Sequence, residues 1–252
     1  MLKVILIFLL SLYLIGGVLL YIFQRNLLYF PSAEYEHQLE QFDLLNEGER
    51  LKVVVLNPNR PQAIIYFGGN AEPVVFNEEP FKRHFPNHTV YLMNYRGYGG
   101  SSGTPSEVGL LSDALTLYDH VSKDHDSIFV FGRSLGSGVA TYLAAERKVH
   151  GLVLVTPYDS IVSVAQKRFP FYPVAALLKD HYNSKERAQN VSAPVLIIMA
   201  ELDAVIPNWH TLELKKSFSG DKASVIKIID TDHNNVSFSE EYFEALIRFL
   251  DN

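Results

Sequence analysis

The sequence predicts an α/β protein with a mainly parallel twisted sheet and helices on both faces. The first observation is a series of short, nearly continuous apolar runs, which are typical of strands buried on both sides. The second is that segments with helical spacing of apolar residues alternate with these runs, which favours a parallel sheet. The predicted strands are QFDLLNE (weak), LKVVVLN (51–57), AIIYF (63–67), TVYLMNY (89–95), SIFVF (127–131), GLVLVTP (151–157), PVLIIMA (194–200) and SVIKIID (224–230).

The composition fits one large domain that recognises no nucleic acid. The chain has 252 residues, 48% of them apolar, which is enough for a sizeable core. Its formal net charge is −6, and its basic residues are scattered rather than clustered. A nucleic-acid partner would require a basic stripe, so the charge argues against one.

The chain contains no cysteine. This excludes disulfides, a cysteine nucleophile, thiolate metal sites and an S-acylated anchor. We expect neither a metal nor a cofactor.

The N-terminal segment differs from the rest of the chain. Val4 to Phe23 carries no charged residue and, as a helix of about 30 Å, is long enough to cross a bilayer. A cleaved signal peptide is the alternative, but its apolar region is usually shorter and ends in small residues that are absent here. We expect a retained anchor (1–25), a linker (26–40) and the main domain (41–252). Lys3 precedes this segment, whereas Arg25, which follows it, is itself followed by acidic residues. This charge distribution weakly favours a main domain outside the cytoplasm.

The pattern Gly-x-Ser-x-Gly occurs twice, around Ser134 in FGRSLGSG and around Ser101 in YGGSSG. Ser134 directly follows a predicted strand and directly precedes a helix, the context in which a sharp turn exposes a nucleophilic oxygen. Ser101 is separated from both neighbouring elements and is interpreted as a turn residue. Taken alone, Ser134 in a plain glycine turn with a capping role remains the alternative.

A serine nucleophile needs a base and an acid, which in this strand–helix order follow it along the chain. His233 follows the last predicted strand, whereas His210 falls inside a predicted helix. Asp203 comes just after the strand before it and would orient the imidazole. Asp159, after the preceding strand, remains the alternative acid.

Two backbone N–H groups are expected to stabilise the oxyanion. The first belongs to Leu135, at the start of the helix after the nucleophile, where the helix dipole helps. The second belongs to Asn70 in the turn FGGNAE, with Gly69 as the neighbouring alternative.

These residues and their order resemble the α/β-hydrolase superfamily over nearly all of the chain after about residue 40. Within it the chain resembles the BEM46-like group, which includes the ABHD13-type and ABHD17-type hydrolases, through YFGGNAE, NYRGYGGSSGTPSEVG, FGRSLGSGVA, PYDSI and DAVIP. The resemblance implies an α/β-hydrolase fold and a serine hydrolase acting on acyl esters or thioesters. The group commonly has His-Gly-Asn where this chain has Gly68-Gly69-Asn70, and its depalmitoylases carry N-terminal cysteines that this chain lacks. The ABHD13 type is therefore the nearer analogue.

The stretch from about 158 to 190 is expected to form a small cap. Phe169, Phe171, Tyr172 and Leu177 would line an acyl pocket there, or would only pack within the cap. We expect a small-molecule or lipid-like acyl substrate and membrane attachment through the N-terminal helix. A peptidase on the same fold and a non-catalytic membrane scaffold are the alternatives, and the oligomeric state stays open.

Overall fold

The structure is a computed structural model and describes residues 1–251. The strands are β1 (Glu40–Asn46), β2 (Glu49–Leu56), β3 (Gln62–Phe67), β4 (His88–Met93), β5 (Ser127–Arg133), β6 (Gly151–Val155), β7 (Val195–Ala200) and β8 (Ala223–Ile228). The helices are α1 (Leu2–Leu28), α2 (Glu78–His84), α3 (Glu107–Val121), α4 (Leu135–Glu146), α5 (Ile161–Arg168), α6 (Val174–Leu177), α7 (Ser184–Ala188), α8 (Asn208–Ser217) and α9 (Glu240–Leu250).

The eight strands form one sheet in the order β1-β2-β4-β3-β5-β6-β7-β8. Strands β3 to β8 run parallel, while β1 and β2 pair antiparallel at one edge. The predicted fold class is therefore confirmed. Strands β3 to β7 are buried almost throughout, because helices cover both faces, whereas the edge strand β8 is mostly partly exposed.

Two apolar cores lie on opposite faces of the sheet. The core on one face includes Leu110 of α3 and Val139 of α4, and the core on the other includes Phe81 of α2 and Leu246 of α9. Strand residues alternate between the two cores, as Ile64 and Ile65 of β3 do, because successive side chains of a strand point to opposite faces. This double cover makes the carboxyl edge of the parallel strands the place where loops can form a site.

Helix α1 is longer than the predicted anchor and extends to Leu28. It is long and apolar enough to cross a bilayer, with a mean hydropathy of 2.6, and none of its side chains is buried. Its last turn is fixed to the domain by Arg25, whose guanidinium contacts both carboxylate oxygens of the buried Asp180 at 2.8 and 3.1 Å. Tyr29, directly after the helix, shares a 3.0 Å hydroxyl–hydroxyl hydrogen bond with Tyr182.

The segment between β6 and β7 contains α5, α6 and α7, which occupy the range expected for the cap. Ser160 caps α5 by accepting a hydrogen bond from the backbone N–H of Ser163 at 3.0 Å. Helices α5 and α6 lie beside α1, and residues of all three line one apolar cavity.

Candidate active site

Ser134 lies at a sharp turn between β5 and α4. Its backbone has φ of 49° and ψ of −115°, a strained region for a residue with a side chain. The backbone N–H of Ser134 donates to the carbonyl oxygen of Val155 at 2.9 Å, which ties the turn to the neighbouring strand. The turn thus holds the hydroxyl at the carboxyl edge of the sheet, where Ser134 remains partly exposed.

Glycines are required around this turn because neighbouring backbone comes too close for a side chain. A Cβ atom at Gly132 would lie 2.4 Å from the carbonyl oxygen of Gly136. A Cβ atom at Gly136 would lie 2.1 Å from the carbonyl oxygen of Phe67 at the end of β3. These close approaches bring the start of α4 against the turn that follows β3.

The structure brings Ser134, His233 and Asp203 into one hydrogen-bonded chain. Nε2 of His233 lies 2.8 Å from Oγ of Ser134, and Nδ1 of His233 lies 2.8 Å from Oδ2 of Asp203. The other carboxylate oxygen of Asp203 accepts backbone N–H groups from Val205 at 3.0 Å and Ile206 at 2.7 Å. Asp203 and His233 are both buried, so this carboxylate is held in place and aimed at the ring.

The loop that carries His233 is shaped by Asp232. One carboxylate oxygen of Asp232 accepts the backbone N–H groups of Asn234 at 2.8 Å and Asn235 at 3.0 Å. In return, the side-chain oxygen of Asn235 accepts the backbone N–H of Asp232 at 2.7 Å. Such Asx turns fix the backbone on both sides of the histidine.

Of the two candidates for the second oxyanion donor, the structure leaves Asn70 available. The N–H of Gly69 donates to Oε2 of Glu72 at 2.6 Å, so it already has an acceptor. The N–H of Asn70 and that of Leu135, the first residue of α4, have no acceptor among residues 1–251. The N–H groups of Leu135 and Asn70 thus have no acceptor of their own and are free for an oxyanion.

Sequence reasoning missed the ion pair between Arg133 and Glu72. Nη1 of Arg133 lies 3.0 Å from Oε2 of Glu72, and Nη2 donates to the carbonyl oxygens of His233 and Asn234, both at 3.2 Å. Burial lowers the pKa of Arg133, but the Glu72 carboxylate, with smaller contributions from Tyr66 and Tyr242, outweighs burial and keeps this pKa above its usual value. The pair therefore joins the turn after β3 to the histidine loop. Its sequence signals were the arginine directly before Ser134 and the acid ending FGGNAE.

The side chain of Asn70 was also missed. Its Nδ2 donates to the carbonyl oxygen of Leu28 at 2.6 Å, and its Oδ1 accepts from the N–H of Phe30 and the hydroxyl of Tyr98. Asn70, the candidate for the second oxyanion donor, is thus bonded through its side chain to the end of α1.

The alternative serine and the alternative acid have other partners. The hydroxyl of Ser101 donates to the carbonyl oxygen of Asn94 at 3.0 Å and accepts the N–H of Lys52 at 2.9 Å, so it holds a loop. Asp159 lies 2.6 Å from Nδ1 of the buried His210. Burial would raise the pKa of Asp159, but the hydrogen bond from His210 holds it below its usual value.

The predicted pocket residues divide into two groups. Phe169, Tyr172 and Leu177 line an apolar cavity of about 120 Å³, whose opposite wall is α1 rather than the rest of the domain. Phe171 lies outside this cavity and is 84% exposed, so its prediction as a lining residue is wrong. The reason is that the loop presents the carbonyl of Phe171, not its ring, to Tyr13 of α1.

No group of three or more His, Cys, Asp or Glu side chains in residues 1–251 is arranged to hold a metal ion. The site therefore offers a serine, a histidine, a carboxylate and two free backbone donors. These are the groups that acyl transfer to an activated alcohol requires.

The comparisons with known proteins agree with this fold. Residues 84–178 match the family model described as serine aminopeptidase, S33. The uncharacterized protein Rv2307c of Mycobacterium tuberculosis is 31% identical, over 93% of this chain and 90% of that protein. The protein bem46 of Schizosaccharomyces pombe is 26% identical, over 92% of this chain and 87% of that protein.

A solved structure shows the same architecture at lower identity. The Pyrococcus furiosus esterase Pf2001 superposes with a TM-score of 0.70 and 16% identity, covering 88% of this chain and 95% of that chain. At that identity the likeness concerns the fold alone. Together with the full-length relatives and the sheet order, these matches show that the chain belongs to the BEM46-like group of the α/β-hydrolase superfamily.

Proposed function

We propose that this hydrolase is a membrane-anchored serine hydrolase that cleaves acyl esters or thioesters. The observation that carries the proposal is the hydrogen-bonded chain from Ser134 Oγ through His233 to Asp203, with 2.8 Å at each step. A serine hydroxyl is a weak nucleophile at neutral pH and needs a base within hydrogen-bonding reach, which His233 supplies here.

The reaction follows from the positions of these groups. Oγ of Ser134 attacks the carbonyl carbon of the substrate while Nε2 of His233 takes the hydroxyl proton. The N–H groups of Leu135 and Asn70 stabilise the negative oxygen of the tetrahedral intermediate. The C–O or C–S bond to the leaving group then breaks, and His233 returns its proton to the departing alcohol or thiol. Asp203 keeps the ring in one tautomer and stabilises its cation.

Hydrolysis of the acyl-enzyme by water completes the cycle, with His233 again acting as the base. His233 removes a proton from a water molecule, the hydroxide attacks the acyl carbon, and the Ser134–acyl bond breaks with the proton returning to Oγ. The products are the free acid and the regenerated enzyme.

The chain divides, in this proposal, into an anchor, a linker and a catalytic domain at about 1–25, 26–40 and 41–252. Helix α1 has the length and composition of a membrane span, and the weak charge difference across it favours a catalytic domain outside the cytoplasm. Substrates that reside in or near the bilayer are favoured by this attachment.

A fluorophosphonate probe tests the nucleophile. The full chain in detergent should become labelled, and Ser134→Ala should abolish labelling. Ser101→Ala is the matched control, because Ser101 lies in the second Gly-x-Ser-x-Gly stretch, and it should retain labelling. Labelling lost in Ser101→Ala but kept in Ser134→Ala would refute the assignment.

The alternatives give different outcomes in the same preparation. A folded wild type that takes no probe would indicate a non-catalytic scaffold. Hydrolysis of aminoacyl p-nitroanilides faster than p-nitrophenyl esters would indicate a peptidase. We expect ester hydrolysis, with the chain-length series of p-nitrophenyl esters ranking the acyl group.

A further inference from the structure

The loop that follows α5 reaches the middle of α1. The rings of Tyr13 and Tyr172 stack with centroids 4.7 Å apart and planes 5° apart. The hydroxyl of Tyr13 donates to the carbonyl oxygen of Phe171 at 2.8 Å, and that of Tyr172 donates to the carbonyl oxygen of Tyr13 at 3.2 Å. At about 1.5 Å per residue, Tyr13 lies about 22 Å before the end of the helix at Leu28. A bilayer that covers α1 therefore also covers this loop.

The loop has the composition of a membrane-embedded segment. Residues 169–178, FPFYPVAALL, carry no charge, and they are flanked by Lys167 and Arg168 on one side and Lys179 on the other. The ammonium of Lys179 lies 4.3 Å from the ring centroid of Tyr21 in α1. The ring of Phe171 stands 84% exposed, a costly arrangement in water and a favourable one in lipid.

An irregular backbone can enter hydrocarbon only if its polar groups are paired within the protein. Pro170 and Pro173 have no N–H to pair. The side chain of Gln166 donates to the carbonyl oxygens of Phe169 at 3.3 Å and Tyr172 at 3.1 Å, and it accepts the N–H of Val174 at 3.3 Å.

The far end of the loop is paired by α1 itself. Nε2 of Gln24 donates to the carbonyl oxygen of Leu177 at 3.2 Å, and its Oε1 accepts the N–H of Lys179 at 2.6 Å. Two glutamines and a tyrosine hydroxyl thus satisfy backbone groups of a segment whose regular structure is the four-residue helix α6. Such pairing is what a lipid environment demands and a water-exposed loop does not need.

The apolar cavity lies between this loop and α1. Its volume is about 120 Å³, and its walls include Leu20, Leu27 and Leu28 from α1 and Phe169, Leu177 and Leu178 from the cap. An apolar cavity of about 150 Å³ takes a benzene molecule, so this one has room for about five or six carbons of a chain. Leu28 also bonds through its carbonyl oxygen to Asn70, in the turn next to Ser134. One residue of the cavity wall is therefore joined to the turn that follows β3.

We propose that residues 169–178 insert into the bilayer beside α1, and that the cavity between them takes one acyl chain of a membrane lipid whose ester or thioester is presented to Ser134. The inference rests on the proposed serine hydrolase function and adds the origin of the substrate. The acyl chain of the lipid enters the cavity laterally from the bilayer, so its carbons pass from one apolar environment to another and never cross water.

The first experiment measures insertion without using catalysis. In a Trp209→Phe background, which removes the only native tryptophan, Phe171→Trp places a fluorophore on the loop. In vesicles of phosphatidylcholine brominated along the acyl chains, its fluorescence should be strongly quenched. The matched control is Lys123→Trp in the same background, since Lys123 is exposed just before β5, at the opposite edge of the sheet. Equal, weak quenching at both positions would overturn the insertion.

The second experiment fills the cavity. Ala165→Phe should occupy the space of an acyl chain, whereas Ala176→Phe, on an exposed position of the same cap outside the cavity, should not. Each methylene enclosed strengthens binding about fourfold, so Ala165→Phe should lower the kcat/KM ratio of octanoate to acetate p-nitrophenyl esters by about tenfold or more in vesicles. Ala176→Phe should keep the wild-type ratio.

The outcomes separate the two proposals. A wild type that hydrolyses neither ester and takes no fluorophosphonate refutes the serine hydrolase function, and it leaves the quenching result to decide insertion. An unchanged ratio in Ala165→Phe, with acetate hydrolysis intact, refutes the acyl-chain site alone.

Discussion

Substitution of Glu72 tests how the site is held together. Four donors converge on its carboxylate: the Tyr66 hydroxyl at 2.6 Å, the Asn77 amide at 2.7 Å, the Gly69 N–H at 2.6 Å and Arg133 at 3.0 Å. Glu72→Gln keeps the shape but replaces one oxygen by an NH₂ group. That group cannot accept, so two donors lose their acceptor whichever way the amide turns.

The expected loss of stability in Glu72→Gln follows from the burial of the ion pair between Glu72 and Arg133. The side chains of Glu72 and Arg133 are 11% and 15% exposed, so the pair is shielded from water but not fully enclosed. Hydrogen bonds to charged groups contribute about 1.5–3 kcal/mol each, and we expect a loss of about 3 kcal/mol in the free energy of unfolding. For a domain of this size that corresponds to a fall in Tm of about 6–12 °C.

Activity should fall as well, because both sides of the site depend on the pair. Gly69 precedes Asn70, the proposed second oxyanion donor, and Arg133 donates to the carbonyl oxygen of His233. Complete loss of an oxyanion donor costs about 10²–10³ in kcat, and a displaced donor should cost about tenfold to a hundredfold. KM should change little, because the pair supports the reacting groups rather than the acyl chain.

The assay is ester hydrolysis by the full chain in detergent, together with thermal unfolding. The control is Glu213→Gln, which removes one partner of the exposed pair with Lys216, where the side chains are 46% and 68% exposed. Such pairs contribute at most about 1 kcal/mol, so the control should keep both Tm and kcat. A Glu72→Gln protein with wild-type kcat and Tm would show that the network does not position the site.

Three further changes separate catalysis from stability. Asp203→Asn should lower kcat by about 10⁴ with little change in Tm, because the asparagine holds the wrong imidazole tautomer. Asp159→Asn should instead cost about 3 kcal/mol of stability, since it removes the partner of buried His210, and should leave the kcat of the folded protein within about twofold. The reverse result would make Asp159 the catalytic acid. The folded-state pKa of Asp159 is lowered, so the contribution of Asp159 to stability is present above its unfolded pKa of about 3.9 and is lost as the pH falls through the folded-state pKa. Acid unfolding followed by circular dichroism should therefore be less steep in Asp159→Asn than in the wild type. Identical acid profiles would contradict this. Gly136→Ala should lower kcat by about a hundredfold or more, because the new Cβ would lie 2.1 Å from the carbonyl oxygen of Phe67 and would push away the turn after β3 that carries Asn70. Wild-type kinetics would show that this turn has room to move.

The fold class and the placement of the proposed catalytic residues were accessible from the sequence because both depend on local patterns. Apolar runs mark buried strands, and the carboxyl ends of parallel strands meet at one edge of the sheet. Ser134, Asp203 and His233 each follow such a run, and the structure does bring them together. The choice against Ser101 also rested on local context, namely its separation from any strand end.

Other features were decided only by the tertiary structure, because they join parts of the chain that no local pattern relates. The Arg133–Glu72 pair and the bond from Asn70 to the end of α1 link residues dozens of positions apart. Gly69 and Asn70 were both candidates for the second oxyanion donor, and only the structure shows that the N–H of Gly69 already donates to the carboxylate of Glu72, because spacing does not determine whether that side chain folds back onto its own turn. Phe171 was misplaced for the same reason. Composition showed that the cap loop is apolar, but only its packing against α1 determined which rings face the cavity and which face outward.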